Sequence, residues 1–447
     1  MSVKKKNLAK LCILGALLLI LLLIYVNELQ KFLERNKNEI TIGVFSDSYW
    51  DVQNGYSYQI LDDAIRIFEE ENPGIRVSYV SGIMKGDYSE WLAEELLKGT
   101  APDLFFVSRN EFSDLAEIGA IKDLSELISE DETFDEEAFY KPAYESGKFR
   151  NGQYALPYEC APKLMFVNKS ILNKENIPIP NNNWTWDKFY EICEKVTKDT
   201  NDNGIIDQFG VVGYSWEDAF YENEVHLFDE DGTQCSLTSD NVEESILLLE
   251  KLDSLSKGYR ITAKDFDYGR VAFMPMSFSE YRAYKSYPLS IKKYSGFEWE
   301  CIEMPAGPKG DNLSELDTLM IGMNRNTAQQ DAAWEFLKLL TSDPRIQSEI
   351  FDYSEGVSVI RNVTESDETK IVLSRASGDH VTMSTAVLSG VLETAVNPPG
   401  FRSYENAMEQ VNSVIESILE GNKNIKMELI VKNREINRYL QDLQLEK

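Results

Sequence analysis

Residues 199–207 read Asp-Thr-Asn-Asp-Asn-Gly-Ile-Ile-Asp, and they carry the most explicit chemistry in the chain. Asp199, Asn201, Asn203 and Asp207 place side-chain oxygens at alternate positions. Ile205 can add its carbonyl, and Gly204 permits the sharp turn between them. Hard oxygen donors in this spacing suit Ca2+. The twelfth position from Asp199 is Gly210, not the bidentate Glu of an EF-hand, and Gln208 follows Asp207. Two carboxylates and two amides fit a weak calcium loop, or equally a turn capped by its own Asx side chains.

Catalytic constellations are sparse. His226 and His380 are the only histidines, which limits His-based triads and zinc sites. No GxSxG, P-loop or GxGxxG motif occurs. Acidic pairs are abundant, so glycoside hydrolysis stays open by residue type, yet no pair is singled out by its surroundings. The expectation is binding without catalysis. The 7 Trp and 22 Tyr supply flat apolar faces for it.

The elements that must position these groups follow from periodicity. Residues 40–45, 75–80 and 104–107 read as strands. Residues 59–71 and 88–98 between them have helical spacing, which argues for an α/β lobe with a largely parallel sheet. Helical patterns then dominate at 187–197, 242–256, 328–340, 403–419 and 425–443. Ser342-Asp343-Pro344 reads as a helix stop.

Several motifs recur in a recognisable order. They are Ala101-Pro102-Asp103-Leu104-Phe105-Phe106-Val107, then Leu156-Pro157-Tyr158-Glu159-Cys160-Ala161-Pro162 running into an apolar stretch to Asn168-Lys169, then Trp184-Thr185-Trp186-Asp187. Residues 270–277, 304–310 and 317–324 follow, the last ahead of a helix carrying Trp334. Together they resemble the maltose-binding-like extracellular solute-binding proteins, family 1, which serve carbohydrate ABC importers. Pro275 within the 270–277 strand departs from that family's pattern.

The resemblance implies an α/β, two-lobed periplasmic-binding-protein-like fold of type II. About three segments should cross between the lobes, near 156–162, 316–323 and Ile371. Residues 40–157 with 321–370 would form lobe 1, and 158–320 with 371–447 lobe 2. It also implies a monomeric receptor that binds an oligosaccharide and hands it unchanged to the permease subunits of an ABC importer. Sugars are held between domains by stacked aromatics and planar polar groups. The candidates are Trp50 after the first strand, Arg109, Asn110 and Glu111 after the third, and Tyr158 and Glu159 at the first crossing. Trp216 and Tyr221 in a loop, and Phe278 and Tyr281 after the 270–277 strand, complete the set. Other readings are a glycoside hydrolase, a receptor for a peptide or sugar phosphate, and the binding module of a sensor complex.

Bulk properties agree with this. A chain of 447 residues exceeds one core, so two globular units are expected. The net charge of −30 disfavours nucleic acid and anionic membrane surfaces as partners, since both need basic patches. Lys4, Lys5, Lys6 and Lys10 precede a continuously apolar run at 11–26. That pattern keeps residues 1–10 inside and exports the remainder, which places the binding domain on the extracellular side. No small-residue cleavage site follows the run, so an uncleaved anchor is expected, with 27–39 as a stalk; a cleaved atypical signal would instead release the chain. Cys12 stands at the start of the run, where lipidation has no use. Cys160, Cys193, Cys235 and Cys301 show no metal spacing, and read as small buried thiols or an unassigned disulfide.

Overall fold

The computed structural model describes residues 38–52, 56, 58–286, 297–377, 381–421 and 423–445. The basic segment, the anchor and most of the stalk lie outside the described residues. Among those described, no helix is long and apolar enough to cross a membrane.

In lobe 1, β1 (Glu39–Gly43) lies between β2 (Arg76–Tyr79) and β3 (Leu104–Val107), parallel to both. Helices Gln59–Glu71 and Lys85–Lys98 make the crossovers. Ile60, Leu61, Ala64 and Phe68 form the buried stripe of the first, at the spacing of one helix face. A short hairpin follows, β4 (Lys148–Phe149) and β5 (Gly152–Gln153).

The element that joins the lobes is β6 (Ala155–Asn168), a strand of 14 residues. At about 3.3 Å per residue it runs roughly 46 Å, long enough to serve two sheets. Residues up to Pro162 pair antiparallel with β10 (Leu316–Met323), and Cys160 and Glu159 also pair with β11 (Val357–Ser358). From Lys163 onward the partners are β8 (Val271–Ser277) on one side and β9 (Trp299–Ile302) on the other. Beyond them lie β7 (Phe209–Val211) on β8 and β12 (Val381–Thr382) on β9. Side chains of β6 alternate between cores: Leu164 and Phe166 enter one, Met165 and Val167 the other. That alternation explains why the strand is apolar almost throughout.

Pro275 sits within β8, opposite Met165. Phe273 directs its carbonyl to Val212, just past β7. Pro275, two residues on, points the same way, past the end of β7, so its missing N–H breaks no ladder bond.

The crossings differ from expectation. The lobe boundary on β6 falls at Pro162/Lys163 rather than 157/158, because residues 158–162 pair with lobe 1 strands. All of β10 belongs to lobe 1, from Leu316 rather than 321. After 371 the chain reaches the lobe 2 sheet at β12, which pairs with β9, and the next helix touches lobe 1 again. Leu388 and Leu392 of helix Thr385–Thr394 enter the first core, and Tyr140 Oη donates to Ser389 Oγ at 3.1 Å. Val396 then bridges to Glu315, before helices Tyr404–Gly421 and Ile425–Leu445 cover the second core.

Candidate interlobe binding site

The loop after β1, the start of the helix after β3 and the approach to β10 converge where β6 passes between the lobes. Tyr49 Oη donates to Asp317 Oδ1 at 3.0 Å. Arg109 opens helix Arg109–Glu117 and pairs with Glu315. On β6, Lys163 Nζ lies 2.6 Å from the buried Asp218 Oδ1. The Glu315 carboxylate acts electrostatically on both Arg109 and Lys163, so the charges alternate through the junction. Burial alone would lower Arg109, but Glu315 and Asp317 hold it firmly protonated. Burial raises the Asp317 carboxyl, against the pull of Arg109 and the Tyr49 hydroxyl.

Lobe 2 presents helix Trp216–Glu222 to this network. Ser215 and Asp218 form a reciprocal capping box that starts the helix. Tyr221 is half-buried, and both Tyr221 and Tyr404 feel the charges of Glu315 and Arg109. A cavity of about 360 Å³ lies here, lined by Trp216, Glu217, Tyr221, Pro398, Pro399 and Tyr404 among others. Glu230 and Pro399 also border a second groove of about 390 Å³, which Arg150 of lobe 1 and Arg402 of lobe 2 flank.

On the lobe 1 side, Glu159 is 5% exposed and accepts a hydrogen bond from Ser354 Oγ. Burial pushes its carboxyl up to about 7, opposed by Ser354 and the Trp50 indole. Glu159, Tyr49 and Tyr158 line a small cavity of about 60 Å³. The arrangement offers aromatic faces, a guanidinium, carboxylates and an ammonium across one junction, which suits a polar ligand with apolar faces.

The sequence pattern of the bacterial extracellular solute-binding proteins matches residues 49–344. The chain belongs to that family. A curated relative, an uncharacterized lipoprotein in the oleD 5' region of Streptomyces antibioticus, is 26% identical over 128 residues, 28% of either chain. Among solved structures, the sugar-binding protein MalE from Xanthomonas citri superposes with a TM-score of 0.73 at 13% identity, covering 91% of this chain and 98% of that one. The substrate-binding protein Lmo0181 from Listeria monocytogenes, in complex with cycloalternan, gives 0.66 at 20% identity, covering 90% and 99%. These likenesses establish the two-lobed type II fold.

Within this solute-binding protein, the expected site residues separate into groups. Arg109, Tyr158, Glu159, Trp216 and Tyr221 stand at the junction or line its cavities. Trp50 is 9% exposed and packs edge-on against Tyr49 at 4.7 Å, forming the wall behind Glu159. Asn110 is exposed, and Glu111 accepts from Ser108 Oγ at 2.7 Å beside the helix start. Phe278 and Tyr281 are corrected: both are fully buried, with Tyr281 against Phe166 at 5.4 Å and Trp299 at 5.7 Å. They lie on helix Phe278–Ser286, whose inner face fills the first core. Trp216 and Tyr221 lie on a helix rather than in a loop. Trp216 is 6% exposed and donates to Asn412 Oδ1 at 3.0 Å, so it is anchored as well as cavity-lining. Sequence reasoning missed Tyr49, Lys163, Glu315, Asp317 and Tyr404. Lys163 alone had a local signal, a charge inside the apolar run of a crossing strand.

The 199–207 loop spends its oxygens on itself. Asp199 accepts from the Asn201 N–H at 3.1 Å and the Gly204 N–H at 2.5 Å. Asp207 accepts from the Thr200 N–H at 2.8 Å and the Asn201 amide at 2.5 Å, and Asn203 accepts from the Ile205 N–H at 2.8 Å. The donor types fit calcium, and the same oxygens cap the turn through its own N–H groups, as both expectations require. Among the described residues no three His, Cys, Asp or Glu side chains group so as to hold a metal ion. Cys160, Cys193, Cys235 and Cys301 are buried thiols and form no disulfide.

Proposed function

We propose that this chain is an extracytoplasmic receptor for an oligosaccharide, which it delivers unchanged to an ABC-type importer. The observation that carries the reading is the junction itself: the Tyr49–Asp317 and Arg109–Glu315 pairs stand beside a cavity lined by Tyr221 and Tyr404 of the other lobe, which feel the charges of Arg109 and Glu315. Stacking faces beside planar hydrogen-bonding groups recognise sugar rings and their hydroxyls. Solved structures of the same fold include sugar-binding proteins, one of them holding cycloalternan. A ligand that touches both lobes binds the closed state better, and that difference drives closure. The permease then reads the closed form. Lys4 to Lys6 and the apolar run at 11–26 support an uncleaved membrane anchor, with the receptor outside. Intact residues 1–26 in the mass spectrum of the membrane-derived protein are the expected result, and a mature form beginning near Glu28 would overturn the anchor.

A thermal-shift screen over oligosaccharides, with product analysis, tests the receptor. At ~100 times its dissociation constant a true ligand adds about 2.7 kcal/mol to stability, and the sugar is recovered intact. Shortened sugars would mean a glycoside hydrolase. A shift with peptides and none with sugars would mean a different solute.

A further inference from the structure

The 60 Å³ cavity in lobe 1 differs in chemistry from the rest of the junction. Tyr49, Tyr58, Phe106, Tyr158 and Tyr353 line it together with Glu159. Phe106 and Tyr158 stand at 5.5 Å from each other, with rings tilted by 31°. Glu159 is the only carboxylate in that lining apart from Asp47, and among the described residues no lysine or arginine forms an ion pair with it. Arg282, which reaches the same turn through the Ser354 carbonyl at 3.2 Å, is committed to Glu355 and the Phe351 carbonyl.

A sugar hydroxyl can donate to Glu159, but an ammonium donates and also brings a positive charge that the hydroxyl lacks. An ammonium beside Glu159 would hold its carboxyl ionised, the form that only accepts hydrogen bonds, and tyrosine faces present negative charge density. Both features attract a cation, and a desolvated aromatic enclosure strengthens that attraction. The cavity has room for a few water molecules, so it takes an ammonium group and its carbon rather than a ring. Tyr49 connects it to the ring-binding junction, since the same side chain lines the cavity and donates to Asp317. The overall charge of −30 also favours a cationic solute at long range.

We infer that this pocket receives a protonated amine, so that the solute is an oligosaccharide bearing free amino groups. The inference rests on the carbohydrate reading above and narrows it. Three tetrasaccharides with one linkage type distinguish the cases by titration calorimetry on the unaltered protein: β-1,4-linked glucosamine, its fully N-acetylated form, and cellotetraose. The expected result is at least tenfold tighter binding of the free amine than of either neutral sugar, with that ratio collapsing in Glu159→Gln. Tyr353→Leu, at the cavity rim, should lower the same ratio and serves if Glu159→Gln fails to fold. Equal or weaker binding of the amine, with a neutral sugar bound tightly, overturns the amine pocket and leaves the receptor reading standing. No binding by any of the three overturns the amine pocket and counts against the carbohydrate reading as well.

Discussion

Arg109 and Glu315 stand 206 positions apart and form an ion pair where the two lobes meet. Arg109 belongs to the first lobe by its helix, while Glu315 precedes β10 and bridges to Val396, ahead of the helices that cover the second core. The pair is three-quarters buried on the Arg109 side, so neither charge is well solvated without the other.

That pairing predicts coupled stability. In a double-mutant cycle of Arg109→Met and Glu315→Gln, the two changes should interact by about 1–3 kcal/mol, because each single variant leaves a charge stranded. Urea unfolding of the four proteins measures it. Strict additivity would show that the contact contributes nothing.

Trp50 and Tyr221 should fail in different ways. Trp50→Ala empties a buried site and should lose ~3–5 kcal/mol of stability. Tyr221 is half-buried at the cavity, so Tyr221→Ala should keep its melting temperature within a few degrees. Its affinity for the oligosaccharide should fall about 5- to 150-fold, equivalent to 1–3 kcal/mol. Calorimetry beside melting curves decides this, and unchanged affinity in Tyr221→Ala would move the sugar elsewhere.

Glu159 makes stability depend on pH. Burial raises its carboxyl to about 7 in the fold, against roughly 4.3 in an unfolded chain. The folded state therefore favours the protonated form. Its contribution is complete below the unfolded value and is lost as pH rises through about 7. Glu159→Gln stays neutral throughout and should escape that loss. Between pH 4 and 8 the unaltered protein should lose on the order of 3 kcal/mol relative to the variant. Glu349 is also pushed up to about 7, first by burial, but it is common to both proteins and cancels. Parallel stability curves for the two would contradict this account.

The 199–207 loop should hold its shape without metal. Asp207→Ala removes the acceptor for both Thr200 and the Asn201 amide, so the melting temperature should drop equally in calcium and in chelator. A rise in melting temperature when calcium is added to the unaltered protein, abolished by Asp207→Ala, would establish a calcium site instead.

Much of the fold was legible along the chain. Helix Gln59–Glu71 and strand β3 fall where apolar spacing and composition put them. Ser342-Asp343-Pro344 ends helix Gln330–Ser342 as expected, but Pro344 also opens helix Pro344–Tyr353, which the sequence reading did not foresee. Asp343 caps that second helix by accepting from the Arg345 N–H at 2.8 Å, and proline tolerates the first turn because its missing N–H has no partner there. Helix Trp216–Glu222 was hidden for another reason. It has 7 residues, five of them buried, so no polar face marks its period.

The sequence by itself determined the strand–helix alternation of the first lobe, the two long C-terminal helices, the apolar crossing strand and the family. These depend on local spacing and on neighbours a few residues away. Which aromatics face the cleft was decided only by tertiary structure. Phe278 and Tyr281 are buried in the core, Tyr281 against Phe166 and Trp299, while Tyr221 and Tyr404 line the cavity and feel the charge of Arg109. No local pattern distinguishes the two pairs. Burial of Tyr281 depends in part on Phe166, more than a hundred residues distant on β6, and it emerges only when β6 takes its place between the lobes.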